Sequence, residues 1–566
     1  MALSFLFSLP IFLTVAFGLA WPLAVRLPLA AAEKIVASAV LSLLGAFAWA
    51  WLVYTGALPV GALWALPALG VIGLGAGARP LADAWRDTDA RAVIVGQAIV
   101  TAWCVGWLAT IASYTGGGWA GDWFEHWERA RFFLERLPRD QKFLGHDALT
   151  ARPPLANVLS AAWLALTRAD FAHYQFFSTL FASLVFLPAA LLARRFGREA
   201  QAIAVCAALF LANPLLVQNA TFAWTKLPAA LFVLAGLYFF LRAQERGAPP
   251  AVAGLCGASL GAGLLAHYSA GPYVVMLAGG WVALGWARRL ERDWQRATLL
   301  AAGAGAAVLA LWFVWAFAVY GWRETFFSNS SVTDAETYPG NQLIKIGLNL
   351  RDTLVPHFLR PHDGALIVQA SRWGRSSDWF FQGYQLNLPL ACGSVAWLAI
   401  LRELFRVRRA AGDRDRYFWG AFIAGVIGLG VATHGARDTW GLAHICLQAL
   451  VLLGLAFLAG RWSTLGRGWR IAVAGGAAFD LAAGIVLHAG VQSYAFDQWF
   501  VAGGVSDATL RSYTKPAFMN LAAKIHHRLE FFSDALRLPW SLLLPALALI
   551  LLIALGRVRG ARRRGS

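Results

Sequence analysis

"VIVGQAIVTAWCVGWLATIASYTGGGWAGDWFEHWERARFF", Val93 to Phe133, changes character midway. Its first half is apolar and matches the roughly 20 residues a helix needs to cross a bilayer. Its second half packs Asp122, Glu125, His126, Glu128 and Arg129 among Trp123, Phe124 and Trp127. Runs like the first half recur along the whole chain. Of 566 residues, 59% are hydrophobic and 14% charged, and the mean hydropathy is +0.58. A soluble protein of this length would carry far more charge, and a membrane β-barrel would show short alternating segments. The pattern predicts an all-α, polytopic transmembrane protein. The first apolar run lacks a basic leading region and a clear cleavage site, so it reads as a retained helix. All five cysteines lie in apolar runs without a CxxC pair, which suits small buried hydrophobes better than disulfides or thiolate metal sites.

Basic clusters punctuate the apolar runs, among them "RRFGRE" from Arg194, "RRLERDWQR" from Arg288 and "RVRGARRRGS" from Arg557. The positive-inside rule puts these in the cytoplasm and yields about fifteen spans. They begin near Leu6, Ile35, Leu58, Val93, Phe171, Ala202, Lys226, Ala251, Pro272, Leu299, Leu386, Tyr417, Gly441, Ile471 and Pro539. "PPLANVLSAAWLALT", from Pro153, is too short for a full span and reads as a re-entrant or interfacial helix. The net charge of +18 is then a topology signal, with no motif or basic domain for nucleic acid. All 11 histidines and the longest loops fall on the outer side, where the chemistry is expected. The chain divides into a three-helix extension (residues 1–92), a core (93–320) with its first outer loop at 114–170, an outer loop (321–385), and a C-terminal membrane region (386–566). That last region carries an outer loop at 490–538 and a basic cytoplasmic tail.

On a helix over 122–135, Trp123, Trp127, Ala130 and Leu134 form one stripe, and Asp122, Glu125, His126 and Arg129 share another face. Such a helix suits the membrane interface, its tryptophans in the headgroup zone. About thirty residues beyond Asp122, "RPPL", Arg152 to Leu155, opens the short apolar helix, because proline fits a first helical turn. Arg152 at that surface can bind a lipid phosphate through bidentate hydrogen bonds or act as a snorkelling anchor.

An acid soon after a span, a juxtamembrane helix and then a basic residue before "PPL" resemble the glycosyltransferase C superfamily. The likeness is to family-39-like and aminoarabinose-transferase-like members that use polyprenyl-phosphate sugars. It extends over roughly residues 93–270, through "LLARRFG" from Leu191 and "LANPLLVQNATFAWTKLPAALFVLAGLYFF" from Leu211. The chain departs from the family's pattern in having Trp123 after Asp122 where an Asp-Glu pair is common, and Arg152 where Lys or His often precedes the prolines. Three extra helices also precede the family's usual first one.

The resemblance implies sugar transfer from a polyprenyl-phosphate donor to a lipid, glycan or protein acceptor outside the cytoplasmic membrane of a bacterium, by an inverting single displacement. Asp122 or Glu125 would serve as base, and Arg152, Lys226 and Arg437 as ligands of the donor phosphate. His126, His267 and Tyr268 are candidate sugar contacts. No resident cofactor is expected. His357, His362 and Asp363 hold possible metal donors, but no spacing makes them converge. Asp480 is the one acid near the middle of a span, a position that marks functional or buried packing residues. An outer-face polysaccharide polymerase or ligase would use similar groups. A lipid-linked-sugar transporter or flippase would instead concentrate polar residues at mid-membrane.

Overall fold

The computed structural model describes residues 2–112, 114, 122–143, 147–197, 199, 201–328, 341–356, 359, 380, 383–410, 413–433, 447–495 and 529–565. The described residues are helices and turns, with one isolated bridge between Phe143 and Asp147. The helices that matter below are α1 (Leu3–Ala24), α2 (Ala31–Tyr54), α3 (Thr88–Leu108), α4 (Asp122–Glu135), α5 (Leu155–Leu166), α6 (Phe171–Phe196), α7 (Gln201–Ala212), α8 (Pro214–Thr221), α9 (Lys226–Ala243), α10 (Pro250–Ala266), α11 (Tyr268–Arg288), α12 (Arg292–Phe327), α13 (Leu447–Gly460), α14 (Arg467–Gly490) and α15 (Trp540–Arg559).

Nine described helices are long and apolar enough to cross a membrane, or eleven if each of two bent pairs is one span. The expected count of about fifteen is therefore not reached among the described residues. At three of the expected spans, from Ala251, Tyr417 and Gly441, the described helices Pro250–Ala266, Tyr417–Thr433 and Leu447–Gly460 are shorter than 18 residues, and residues 441–446 lie outside the described ones. The run from Ala202 breaks into α7 and α8, bent by 69°. Pro214 has no N–H to continue α7. Asn213 turns the break into a new start: its side chain accepts from Leu216 N at 3.0 Å and donates to Ala391 O at 2.8 Å.

The centre of the bundle is α6 and α9, which are almost wholly enclosed by protein. By contrast α12 and α15 turn most of their apolar length outward, with Leu299, Val314, Leu549 and Leu552 exposed, as lipid-facing helices do. Without a hydrophobic drive between helices in lipid, close packing needs small residues. At the α10–α12 crossing a Cβ on Gly257 would lie 1.8 Å from Ala301 O, so only glycine allows the backbones to meet there.

The N-terminal helices are stitched to the core at both ends of α2. Buried Glu33 accepts from Tyr238 Oη at 2.7 Å and Arg242 Nε at 2.6 Å, while Arg136 donates to Val53 O at 2.9 Å. Cys104, Cys206, Cys256 and Cys392 are buried free thiols; Cys446 lies outside the described residues.

Candidate active site

The helix expected over 122–135 is α4, Asp122–Glu135, with Asp122 and Glu125 in its first turn, where negative charge suits the helix dipole. Its orientation differs from expectation. Trp123 and Trp127 do not reach outward to lipid headgroups. Both are buried, Trp123 against Tyr114, Phe171 and Phe531, and Trp127 against Phe171 and Tyr174. The start of α6 and the segment around Phe531 supply this aromatic cover, so the stripe is an internal packing seam. Apart from the partly accessible Asp122, the polar face is buried too.

Each polar side chain on that face has a distinct partner. Glu125 is pinched between two arginines. Its Oε1 takes Arg129 Nη2 at 2.7 Å and Nε at 2.9 Å, and its Oε2 faces Arg152 Nη2 at 3.3 Å. Arg129, fully buried, also donates to Leu149 O at 2.7 Å and Ala148 O at 3.0 Å and lies over the Phe143 ring. It thereby fixes the loop that delivers Arg152. Arg152 itself is extended, at φ −128° and ψ 141°, as the following proline requires. Pro153 and Pro154 then lead into α5, a buried helix packed against α4. Its Asn157 Oδ1 lies 3.2 Å from His126 Nδ1, and Thr225 Oγ1 is 3.5 Å from His126 Nε2.

Asp122 is only half-buried and takes a hydrogen bond from Trp224 Nε1 at 3.1 Å. Trp224 is delivered by the tight turn between α8 and α9. There Ala223 adopts φ 59°, a left-handed conformation that costs a non-glycine residue about 1–2 kcal/mol. The same turn carries Lys226, whose ammonium lies over the Trp224 ring at 4.1 Å. His267 and Tyr268 occupy the junction of α10 and α11. His267 Nδ1 accepts from Ser269 N at 3.1 Å, and the residue lies in the field of Lys226, Arg152 and His126. Tyr268 Oη donates to Thr150 O at 3.3 Å and accepts from Trp312 Nε1 at 3.4 Å.

The two acids sit in opposite electrostatic states. For Asp122, burial is the largest influence and Glu125 adds to it, so the carboxyl rises to about 6 although Arg152 and Lys226 pull it down. Burial pushes Glu125 up as well, but Arg152 and Arg129 outweigh it and hold that carboxyl at about 2. Burial lowers His126 to about 4, so the imidazole is neutral near pH 7. Arg152 is raised above its ordinary value: burial opposes its charge, but Glu125 and Asp122 outweigh that.

The structure thus gathers Asp122, Glu125, His126, Arg152, Lys226, His267 and Tyr268 around one end of the bundle. Arg437 lies outside the described residues, as do His357, His362, Asp363, His434, His444, His526 and His527. Asp480 is apart from the site. It accepts from Ser394 N at 2.9 Å and Tyr384 Oη at 3.2 Å and so ties its helix to the segment that enters the helix Ala396–Ala410. Among the described residues no group of three or more His, Cys, Asp or Glu is placed to hold a metal. Sequence reasoning placed Arg129 on the face of Glu125 but did not single out the Glu125–Arg129 pair, although their i, i+4 spacing is a pairing signal. It also missed Trp224, Asn157 and Thr225, which no local pattern marks.

A juxtamembrane acid helix folded against an Arg-Pro-Pro-Leu helix within a bundle of apolar helices resembles the glycosyltransferase C superfamily. Residues 102–322 match the dolichyl-phosphate-mannose-protein mannosyltransferase family, whose members are glycosyltransferases of that superfamily. The match contains every described residue of the site, and the resemblance carried by Asp122 and "RPPL" is borne out. No curated protein matches the chain. Among solved structures, ArnT from Cupriavidus metallidurans bound to undecaprenyl phosphate is similar at 17% identity and TM-score 0.47, covering 82% of this chain and 75% of that one. An oligosaccharyltransferase from Archaeoglobus fulgidus in complex with zinc and sulfate is similar at 14% identity and TM-score 0.39, covering 75% of this chain and 57% of that one.

Proposed function

We propose that the protein is a membrane glycosyltransferase that moves a sugar from a polyprenyl-phosphate carrier to a hydroxyl acceptor at the outer face of the cytoplasmic membrane. The observation that carries this reading is the division between the two acids. Glu125 is neutralised by two arginines and is a poor base; Asp122 is half-buried, receives one neutral N–H, and has its carboxyl raised to about 6. A base with an acidity near the working pH is the efficient kind. Glu125 then acts as a positioning residue for Arg152.

In the step proposed, the acceptor oxygen bonds to the anomeric carbon while its proton passes to the Asp122 carboxylate. The bond between that carbon and the phosphate oxygen breaks, and the electron pair leaves with polyprenyl phosphate. The new negative charge on the phosphate is met by Arg152 and Lys226, which are fixed in advance and so need no reorganisation at the moment of reaction. A single displacement inverts the anomeric centre. The test is transfer by purified protein in vesicles supplied with polyprenyl-phosphate sugars and envelope acceptor material. Release of polyprenyl phosphate coupled to a new glycosidic bond supports the reading, and movement of intact lipid-linked sugar without bond formation points to a transporter.

Two kinetic expectations follow from the same groups. Arg152→Ala should raise the donor KM about 10- to 100-fold, the equivalent of losing one charge-assisted hydrogen bond of ~1.5–3 kcal/mol, with a smaller effect on acceptor KM. Unchanged donor kinetics would leave Arg152 a membrane-surface anchor. Because the base must be deprotonated, transfer should be level above about pH 6 and fall roughly tenfold per unit below it. Lys226 pulls the Asp122 carboxyl down, so Lys226→Met should move this acid limb to higher pH. A pH–rate profile from pH 5 to 8 reads both effects, and an acid limb that stays put in the variant contradicts the pairing.

A further inference from the structure

A second set of polar side chains lies beyond the acid–arginine site, at the ends of three other elements. Asn219 belongs to α8, Gln385 to the turn of helix just before Asn387, and Gln448 to the first turn of α13. They form a chain of amides. Asn219 Nδ2 donates to Gln385 Oε1 at 2.7 Å and to Leu215 O at 2.8 Å, and Asn219 Oδ1 accepts from Gln448 Nε2 at 2.9 Å. Both polar atoms of the Asn219 side chain are thus bonded. The outer amides are not fully bonded: Gln385 Nε2 and Gln448 Oε1 are buried with no hydrogen-bond partner among the described residues, and both amide atoms of neighbouring Gln218 are in the same condition. All four side chains are 0–1% exposed.

Unpaired buried amide atoms are expensive, about 1–3 kcal/mol each, and the great majority of buried polar groups are satisfied. The three linked amides leave one amide nitrogen and one carbonyl oxygen unmet among the described residues, and Gln218 adds another of each. An anion such as phosphate only accepts and cannot satisfy Gln448 Oε1. An ammonium group only donates and cannot satisfy Gln385 Nε2. A hydroxyl does both, and neighbouring hydroxyls on a sugar ring present the alternation that the array lacks. The array also lies close along the chain to the proposed reaction centre. From Asn219 to Trp224, the residue bonded to Asp122, the backbone spans at most about 18 Å. Between them Thr221 O accepts from Tyr114 Oη at 2.6 Å, and the Tyr114 ring packs on Trp123 of α4.

We propose that the Gln385–Asn219–Gln448 array, with Gln218 beside it in the chain, is a hydroxyl-binding subsite for a neutral sugar. The idea rests on the transferase reading and extends it by assigning sugar recognition to uncharged amides, apart from the cations that face phosphate. The hydroxyls could come from the sugar on the lipid donor or from the acceptor.

The test uses Gln385→Met and Gln448→Met, which keep the side-chain length and delete the amide, in the full-length protein in detergent or vesicles. The polyprenyl-phosphate fraction and the remaining envelope material of a strain lacking the gene are titrated separately. The expected result is an apparent KM raised tenfold or more for one fraction, with the ligand-free melting temperature unchanged or higher. A rise with the lipid fraction places the donor's sugar on the array; a rise with the envelope material places the acceptor there. Unchanged KM for both fractions overturns the proposal and leaves the amides to bound water. A lowered melting temperature, with activity falling only as folded protein is lost, also overturns it, because the array is then purely structural. If wild-type protein makes no glycosidic bond at all, it is the transferase reading that fails; if wild type is active and both variants match it, only the subsite fails.

Discussion

Asp122→Asn should lower sugar transfer by about 10²–10⁴-fold, the range a positioned general base contributes, while the protein stays folded and inserted. Asn has nearly the same shape, and its carbonyl can still accept the Trp224 N–H that now reaches Asp122 Oδ2 at 3.1 Å. What it cannot do is take a proton. Removing the negative charge also relieves a carboxyl whose burial already opposes ionisation, so no loss of stability is expected. Turnover and melting temperature measured on the same preparation separate the two effects. Full activity in the Asn variant would remove Asp122 from the chemistry and return the role to Glu125, despite its two arginines.

Arg129→Met should be the most destabilising change in the site. Arg129 is 0% exposed, and it bonds Glu125 and the two carbonyls of Ala148 and Leu149. Taking one partner from a buried ion pair typically costs ~3–5 kcal/mol because the other charge is stranded. Here Glu125 loses the closer of its two arginines and keeps only Arg152, at 3.3 Å, and the loop entering Arg152 loses its anchor as well. Denaturant unfolding in detergent should show the loss, and hydrogen exchange should show it concentrated around residues 147–152. Arg129→Lys should rescue little, since a single ammonium cannot reproduce the planar fork that reaches all three acceptors. Wild-type stability in the Met variant would mean the pair contributes nothing net to the fold.

How much of this was legible in the sequence differs from residue to residue. The helical membrane class followed from apolar runs, and α4 from its 3.6-residue period, because both are local properties. "RPPL" announced α5 for the same reason: proline restricts the residue before it and starts a helix well. The meaning of the Trp123–Trp127 stripe was not local. A stripe facing headgroups and one facing a protein seam have the same spacing, and the cover comes from Phe171 and Phe531, far along the chain. Trp224 was equally hidden, because it meets Asp122 only through a strained turn 102 residues away. The break at Asn213–Pro214 could have been read, since Asn-Pro favours a turn. Hydropathy alone does not register that break, because the residues on both sides of it are apolar, and for the same reason it overcounts spans.

The most direct test of the account is mass spectrometry of polyprenyl-linked sugars and envelope glycans in strains that lack the gene, carry the wild type, or carry Asp122→Asn. The account predicts that the deletion and the Asn variant share one profile, in which a polyprenyl-phosphate sugar accumulates and one glycan modification is missing, and that wild type alone restores the modification. Full restoration by the Asn variant, or an unchanged glycan and lipid profile in the deletion, would contradict it.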